Sequence, residues 1–178
     1  MKSLKQDLLD AFRKRVAESA VGASALRNQG SEGVVRRARE YLKTLDLASF
    51  VLPSEGEFRA ALDRETEGLR KWLPAQAQHW GAARKALNLF LRDVLYHRYL
   101  CSHYRFEEIE GWLEVPLDRD VADGLRQASS NLLPEWPGIK HLKSDRSLIY
   151  QKAARRVALT ADIAPVHLDV YWWRRVGG

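Results

Sequence analysis

One lysine and one aspartate in this chain are placed so that an amine and a carboxylate could work together. Lys85 lies in the stretch WGAARKALNLFLRDVLY, and Asp118 follows 33 residues later in LEVPLDRDVADGL. A neutral lysine amine can attack an electrophilic carbon and form a Schiff base. A carboxylate within hydrogen-bond reach can accept and return the protons of such a reaction. Two such residues could carry out covalent amine catalysis only if the fold brings them together.

Each of these residues also has a simpler interpretation. The helix that carries Lys85 has its core face on the apolar side chains Leu87, Phe90, Leu91, Val94 and Leu95. Lys85 and Arg92 lie two turns apart on another side, which is commonly a solvated basic face. Asp118 follows Pro116-Leu117 and is placed to cap a helix with its carboxylate. Asp120 is the rival aspartate, but on a helix it points in another direction.

The elements that must position these residues are helical almost everywhere, so we predict an all-α fold. Apolar residues recur with a helical period, and helices are predicted over residues 4–16, 31–47, 55–72, 81–104, 118–129, 144–159 and 165–175. Ser31 is expected to start the second of these helices, and Ser144 is expected to cap the sixth. The chain shows no repeat, no low-complexity tract and no convincing strand. Its 178 residues suit one domain with a sizeable core.

Composition narrows the classes of function. The chain is 46% apolar and 29% charged, as in ordinary globular proteins, and its net charge of +6 suits a phosphate backbone as partner. Cys101 is the single cysteine, so a disulfide framework is excluded and a reducing compartment is favoured. No apolar run reaches the roughly 18 residues of a membrane span. The five histidines show no tight ligand spacing, so we expect no metal and no cofactor. We predict a cytoplasmic, nucleoid-associated protein, or a nuclear one in a eukaryote.

Two motifs around the lysine and the aspartate resemble those of a known superfamily. The chain reads Gly-x-x-Arg-Lys at 81–85 and Pro-Leu-Asp-x-x-Val-x-x-x-Leu at 116–125. This order resembles the helix-hairpin-helix DNA glycosylases, whose catalytic lysine lies in the second helix of the hairpin and whose catalytic aspartate opens a later helix. The usual Leu-Pro-Gly-x-Gly hairpin loop is replaced by LPAQAQHWGAARK. The atypical hairpin and the long spacing are most similar to the archaeal 8-oxoguanine DNA glycosylases, which implies that Lys85 and Asp118 are catalytic.

The end of the chain shows a second similarity to that family. The stretch APVHLDVYWW at 164–173 resembles the family's Pro-x-His-x-Asp-x-x-x-Trp. The resemblance implies that Asp169 and Trp173 line the pocket for the extruded base, and that Arg92 takes the place of a pocket lysine. An amphipathic closing helix with aromatic packing would explain the same residues without a pocket.

Three further residues are candidates for contacts with nucleic acid. Gln29, in the loop RNQG, could read a base edge, although a simple capping loop is the alternative. Arg84 and Gly81, at the start of the lysine helix, are assigned to DNA contact. The stretch LPEWPGIKHLK either shapes the mouth of the pocket or only connects helices.

The sequence as a whole predicts a monomeric, all-α, two-lobed helix-hairpin-helix glycosylase, with one domain over 1–178 and two subdomains flanking a cleft. The resemblance implies a bifunctional DNA glycosylase and AP lyase that acts on DNA containing an oxidised purine, 8-oxoguanine in particular, through a lysine Schiff base. One alternative is a DNA-binding protein of the same fold, or a glycosylase for an alkylated or normal base. Another is a non-enzymatic helical domain for protein interaction, in which the charges only keep the chain soluble.

Overall fold

The computed structural model describes residues 3–26, 29 and 33–173. All regular elements in these ranges are helical, which confirms the predicted all-α class. The α-helices are α1 (Leu4–Ala20), α2 (Val34–Leu42), α3 (Glu55–Trp72), α4 (Trp80–Tyr96), α5 (Arg98–Tyr104), α6 (Arg119–Ala128), α7 (Ser144–Thr160) and α8 (Leu168–Trp172). Shorter 3₁₀ helices span Leu47–Phe50, Ala75–Ala77, Phe106–Trp112, Ile139–His141 and Pro165–His167. Within the described ranges we find no helix with the length and apolar character that a membrane crossing demands.

Helix α4 lies at the centre of the packing. Every residue from 81 to 91 is buried, and α1 and α3 pack along the helix. The first turns carry small side chains, namely Gly81, Ala82, Ala83 and Ala86, which let neighbouring backbones approach closely. Helix α4 is therefore a well-packed support for the side chains that it carries.

Two buried apolar clusters are found among the described residues. The first surrounds α4 with side chains from α1 to α5 and contains four phenylalanines that are fully buried, Phe50, Phe58, Phe90 and Phe106. The second joins α6, α7 and α8 around Tyr150, whose hydroxyl donates to the Pro134 carbonyl at 2.6 Å. Burial of each such side chain contributes about 1.5–3 kcal/mol to folding. Both clusters contribute elements to the walls of the cleft described below.

Helix α8 packs closely against α6 at a residue of α6 that lacks a side chain. A Cβ atom at Gly124 would lie only 2.5 Å from the indole ring of Trp172. The absent side chain leaves room for the indole, which packs against the second cluster. This contact fixes the orientation of the short closing helix and of the residues next to Trp172.

The prediction of one continuous helix over 81–104 is wrong, because the helix is interrupted at His97, between α4 and α5. His97 has extended backbone angles (φ −86°, ψ 101°), and its Nδ1 accepts a hydrogen bond from the Leu100 N–H at 3.4 Å. The imidazole thereby caps α5, a role that apolar periodicity does not reveal. The second predicted helix ends at Leu42 instead of Leu47, since a separate 3₁₀ helix starts at Leu47. Its expected start at Ser31 lies outside the described residues.

The two C-terminal helices also differ from prediction in their details. Ser144 is the first residue of α7 and does not cap it, since Lys143 occupies the cap position. The predicted helix over 165–175 is divided into the 3₁₀ helix Pro165–His167 and α8, and its last residues lie outside the described ranges. Proline at the first helical position favours the tight start of this segment.

Candidate active site

A cleft of about 930 Å³ is lined by five parts of the chain. These are the end of α1 with the loop that follows it, one face of α4, the first turn of α6, the loop over residues 136–141, and α8. Pockets for small molecules and cofactors usually measure roughly 300–1,000 Å³. The cleft is therefore large enough to receive a group the size of a nucleotide.

One face of α4 supplies a row of side chains along the cleft. Lys85, Leu89, Arg92 and Tyr96 follow one another at intervals of four, three and four residues, and all four line the cleft. This spacing keeps them on one side of an α-helix. The sequence placed Lys85 and Arg92 on a common side two turns apart, and both side chains lie there.

Lys85 and Asp118 meet at this cleft. Lys85 Nζ lies 3.2 Å from Asp118 Oδ2, and the lysine side chain is only 8% exposed. The other carboxylate oxygen, Oδ1, accepts the Val121 N–H at 3.0 Å and caps α6. Asp118 thus uses one oxygen to start its helix and the other to hold the amine. Asp120 also lines the cleft, but no contact joins it to Lys85 among the described residues.

A second ion pair lies further along the same cleft. Arg92 donates to the Asp169 carboxylate, and its Nε donates to Asp93 at 2.8 Å. Burial raises the pKa of Asp169 above its usual range; Arg92 opposes this shift, and the nearby charge of Asp118 adds to it. Burial works against the charge of Arg92, but Asp93 and Asp169 outweigh it and raise the pKa of Arg92. The arrangement places a cation and a carboxylate where they could read the edge of a polar ring.

Trp173 and Gln29 close two sides of the cleft. Trp173 lines it with a side chain that is 63% exposed, whereas Gln29 is buried. An exposed indole at the edge of a cleft offers a flat face on which a base can stack. The structure thus brings Asp169, Arg92, Trp173 and Gln29 to the same cleft as the lysine and the aspartate.

The expectation that Arg84 contacts DNA requires correction. Its guanidinium is buried and donates to Glu114 through Nε at 2.9 Å, to Thr66 through Nη1 at 2.7 Å and to Asp63 through Nη2 at 2.8 Å. It also lies over the ring of Trp80, 5.1 Å from the centroid. These contacts occupy the donors that a phosphate would need, so Arg84 has a structural role.

The assignment of Gly81 to DNA contact is corrected for a different reason. A Cβ atom at this position would lie 2.4 Å from the Ile139 carbonyl oxygen and 2.8 Å from Leu142 Cβ. The start of α4 is therefore covered by the segment after Gly138. Glycine is needed at 81 because another part of the backbone approaches it closely.

Several residues at the cleft were not assigned by the sequence. Trp136, Lys140 and His141 line it, so the stretch LPEWPGIKHLK does shape its mouth. Arg119 lies beside Asp118. Arg119 and Lys140 form no ion pair with the residues that the structure describes. The spacing of Tyr96, one turn after Arg92, could have identified it as a residue of the same face.

His167 was part of the C-terminal motif, but no role of its own was predicted for it. Its Nδ1 lies 2.8 Å from the Tyr96 hydroxyl, and its Nε2 lies 2.8 Å from Glu110.

Over residues 3–26, 29 and 33–173, no three His, Cys, Asp or Glu side chains converge in a way that could hold a metal ion.

Comparison with protein-family models, with curated proteins and with solved structures finds no significant match to this chain.

Proposed function

We propose that this protein is a bifunctional DNA glycosylase and AP lyase that removes an oxidised purine, 8-oxoguanine in particular. The observation that carries the proposal is the contact between Lys85 Nζ and Asp118 Oδ2, 3.2 Å apart at the wall of a cleft of about 930 Å³. An amine and a carboxylate in this relation can perform nucleophilic attack and proton transfer at one carbon atom. The helix-hairpin-helix glycosylase fold, with an atypical hairpin, is part of the proposal.

The chemistry begins after the damaged nucleotide has left the duplex and entered the cleft, because a stacked base hides the sugar. Asp118 accepts a proton from the Lys85 ammonium, which gives the neutral amine. The lone pair of Nζ attacks C1′, the C1′–N9 bond breaks, and the departing base takes the proton that Asp118 had accepted. The C1′-bound nitrogen then returns a proton to Asp118, its lone pair expels O4′ to form a protonated imine between Lys85 and C1′, and O4′ takes that proton from Asp118. Asp118 next accepts a C2′ proton, and the C3′–O3′ bond breaks with departure of the 3′ phosphate, which cuts the strand.

The far part of the cleft supports a purine ligand. Arg92 and Asp169 present a donor group and a carboxylate, and Trp173 offers an aromatic face. Enzymes that extrude a base read it by hydrogen bonds to its edge and by stacking on aromatic side chains. The buried amide of Gln29 is a further group for such readout.

The mouth of the cleft supports contact with a phosphate backbone. Arg119 and Lys140 are exposed, and neither forms an ion pair within the part of the chain that the structure describes. Neutralising phosphates with such cations releases counterions, so DNA affinity should fall steeply as salt rises. A helical interaction domain would require neither this cleft nor the lysine and aspartate inside it.

The test is reductive trapping with a lesion-bearing duplex. Incubation with an 8-oxoguanine duplex and borohydride should give a covalent protein–DNA species, and Lys85→Gln should abolish both trapping and strand cutting while DNA binding persists. Asp118→Asn should lower turnover severely, and asparagine caps a helix about as well as aspartate, so the fold should survive. Lys71→Gln, an exposed lysine of α3, is the matched control. Trapping that persists in Lys85→Gln would refute the assignment of the nucleophile.

A further inference from the structure

A chain of three hydrogen-bonded side chains runs beside the far end of the cleft. The Tyr96 hydroxyl lies 2.8 Å from His167 Nδ1, and His167 Nε2 lies 2.8 Å from a carboxylate oxygen of Glu110. The phenol and imidazole rings also stack, with their centroids 5.6 Å apart. The three residues come from α4 and two separate 3₁₀ helices, and Tyr96 lines the cleft. The position of the phenol is thus set by contacts outside its own helix.

The direction of these hydrogen bonds follows from the chemistry of the three groups when His167 is neutral. A carboxylate has no proton to donate, so Glu110 accepts and the shared proton belongs to His167 Nε2. A neutral imidazole carries a single N–H, which leaves Nδ1 as an acceptor. In this state the Tyr96 O–H donates to Nδ1. The Tyr96 oxygen retains its lone pairs, and these are what it can offer to a molecule in the cleft.

The charged groups around these three side chains are consistent with a hydrogen bond donated by Tyr96 to His167. Arg92, one turn before Tyr96 on α4, is already paired with Asp93 and Asp169. Burial raises the pKa of the Tyr96 phenol, Arg92 opposes the shift, and Asp169, Asp93 and the more distant Glu110 add to it. The phenol therefore keeps its proton at neutral pH, and that proton is available for the hydrogen bond to a neutral His167.

We infer that Tyr96 is a specificity-determining residue of the cleft, because its oxygen, held as an acceptor by the hydrogen bonds through His167 to Glu110, selects bases that present an N–H donor at ring N1 over bases that present a lone pair there. The inference rests on the proposed function. A guanine-type base carries adjacent donors at N1 and at its 2-amino group, whereas an adenine-type base presents a lone pair at N1. A site built to accept from an N–H rejects an analogue that lacks it, since both acceptors then stay unpaired.

The direction of the hydrogen bonds is tested first, by NMR of the full chain with ¹⁵N-labelled histidine at pH 8. The His167 signals, assigned by their loss in His167→Gln, should show a proton on Nε2 and none on Nδ1. A proton on Nδ1 would overturn the inference, because Tyr96 would then accept from His167 and its own O–H would be free to face the cleft. This measurement does not depend on any activity toward DNA.

Selectivity is tested next, by single-turnover excision from duplexes that contain 8-oxoguanine or 8-oxoadenine. In Tyr96→Phe the ratio of the two rates should fall about two- to twelvefold, the value of one hydrogen bond. Tyr99→Phe is the matched control, because Tyr99 is an exposed tyrosine that stacks on Phe12 and does not line the cleft. A defect that is only structural would slow both reactions and leave their ratio unchanged.

The outcomes separate this inference from the proposed function. The inference is supported if the ratio of the 8-oxoguanine to the 8-oxoadenine excision rate falls in Tyr96→Phe and stays constant in Tyr99→Phe. A ratio that is unchanged or rises in Tyr96→Phe, with excision intact in the wild-type protein, overturns the inference and leaves the glycosylase assignment standing. Wild-type protein that excises neither base would overturn both.

Discussion

Arg84 and Lys85 are neighbours in the chain, but we expect their replacement by glutamine to have different effects. Arg84→Gln should mainly lower the stability of the fold, and Lys85→Gln should mainly abolish the proposed reaction. In Arg84→Gln the buried Glu114 carboxylate loses two hydrogen bonds from the guanidinium, although Asn88 still donates to it at 3.1 Å. Removing one partner of a buried ion pair typically costs about 3–5 kcal/mol, because the other charge is left uncompensated. The contact to Asp63 adds little, since that side chain is 64% exposed.

Lys85→Gln should be far milder for the fold. Asp118, the partner of Lys85, is 24% exposed and keeps its hydrogen bond to the Val121 N–H. Water can reach the carboxylate after the amine is removed, so the loss of stability should be about 1 kcal/mol or less. The same replacement should abolish borohydride trapping, because Lys85 carries the amine that is paired with Asp118 and acts as the nucleophile in the proposed mechanism; Lys140, the other lysine of the cleft lining, has no such partner among the described residues.

Thermal unfolding followed by circular dichroism gives the measurement. For a chain of this size, 1 kcal/mol shifts the melting temperature by about 2–4 °C. Arg84→Gln should therefore lower it by roughly 6–20 °C, and Lys85→Gln by less than about 4 °C. Lys71→Gln, at an exposed position, should leave it unchanged. Equal, modest shifts for Arg84→Gln and Lys85→Gln would refute this reasoning, since both would then belong to an ordinary basic face.

Three other perturbations test the packing, the cleft and the charges. Gly81→Ala should cost about 1–3 kcal/mol in urea unfolding, because its Cβ would overlap the Ile139 carbonyl; an unchanged midpoint would show that the segment gives way freely. Trp173→Ala should slow excision by about five- to 150-fold through lost stacking, while nonspecific DNA binding stays the same. A hydrogen bond from Arg155 lowers the pKa of Glu55 below its ordinary 4.5, despite burial. This interaction stabilises the fold above pH 4.5 and is lost as pH falls through the lowered pKa, so the deficit of Glu55→Gln at pH 7 should vanish in strong acid.

The sequence predicted Lys85, Arg92 and Asp118 at the cleft because short-range chemistry decides their positions. A helical period places Lys85 and Arg92 on one side, whatever the rest of the chain does. Asp118 was expected to cap a helix from the Pro-Leu-Asp pattern, and its carboxylate does so through Val121. The contact between Lys85 and Asp118 was expected from the resemblance to the glycosylases. Position along a helix is thus readable from local sequence, whereas partners across the fold are not.

Long-range polar contacts explain what the sequence could not predict. Arg84 was assigned to DNA contact, because nothing local shows that Thr66 and Glu114, 18 and 30 residues away, meet it in the interior. The link between Tyr96 and His167 spans 71 residues. Such pairings depend on how the helices pack together. The apolar periodicity of a helix predicts which face is buried, but it does not specify which polar residue of another helix will meet that face.

The buried contacts of Arg84 also help to hold the segment that carries Asp118, although Arg84 does not itself line the cleft. Glu114, its partner, lies four residues before Asp118. Between them Val115 exchanges two hydrogen bonds with the Gln151 side chain of α7, at 3.1 and 2.9 Å. The segment that leads to the aspartate is thus attached to α4 at one residue and to α7 at the next, before its carboxylate caps α6. A catalytic carboxylate must be held to within a fraction of an ångström, and rigid neighbours achieve this better than a free loop. The interior that stabilises the fold and the cleft of the proposed reaction therefore share this segment, and Arg84 holds the stretch of chain that leads to Asp118.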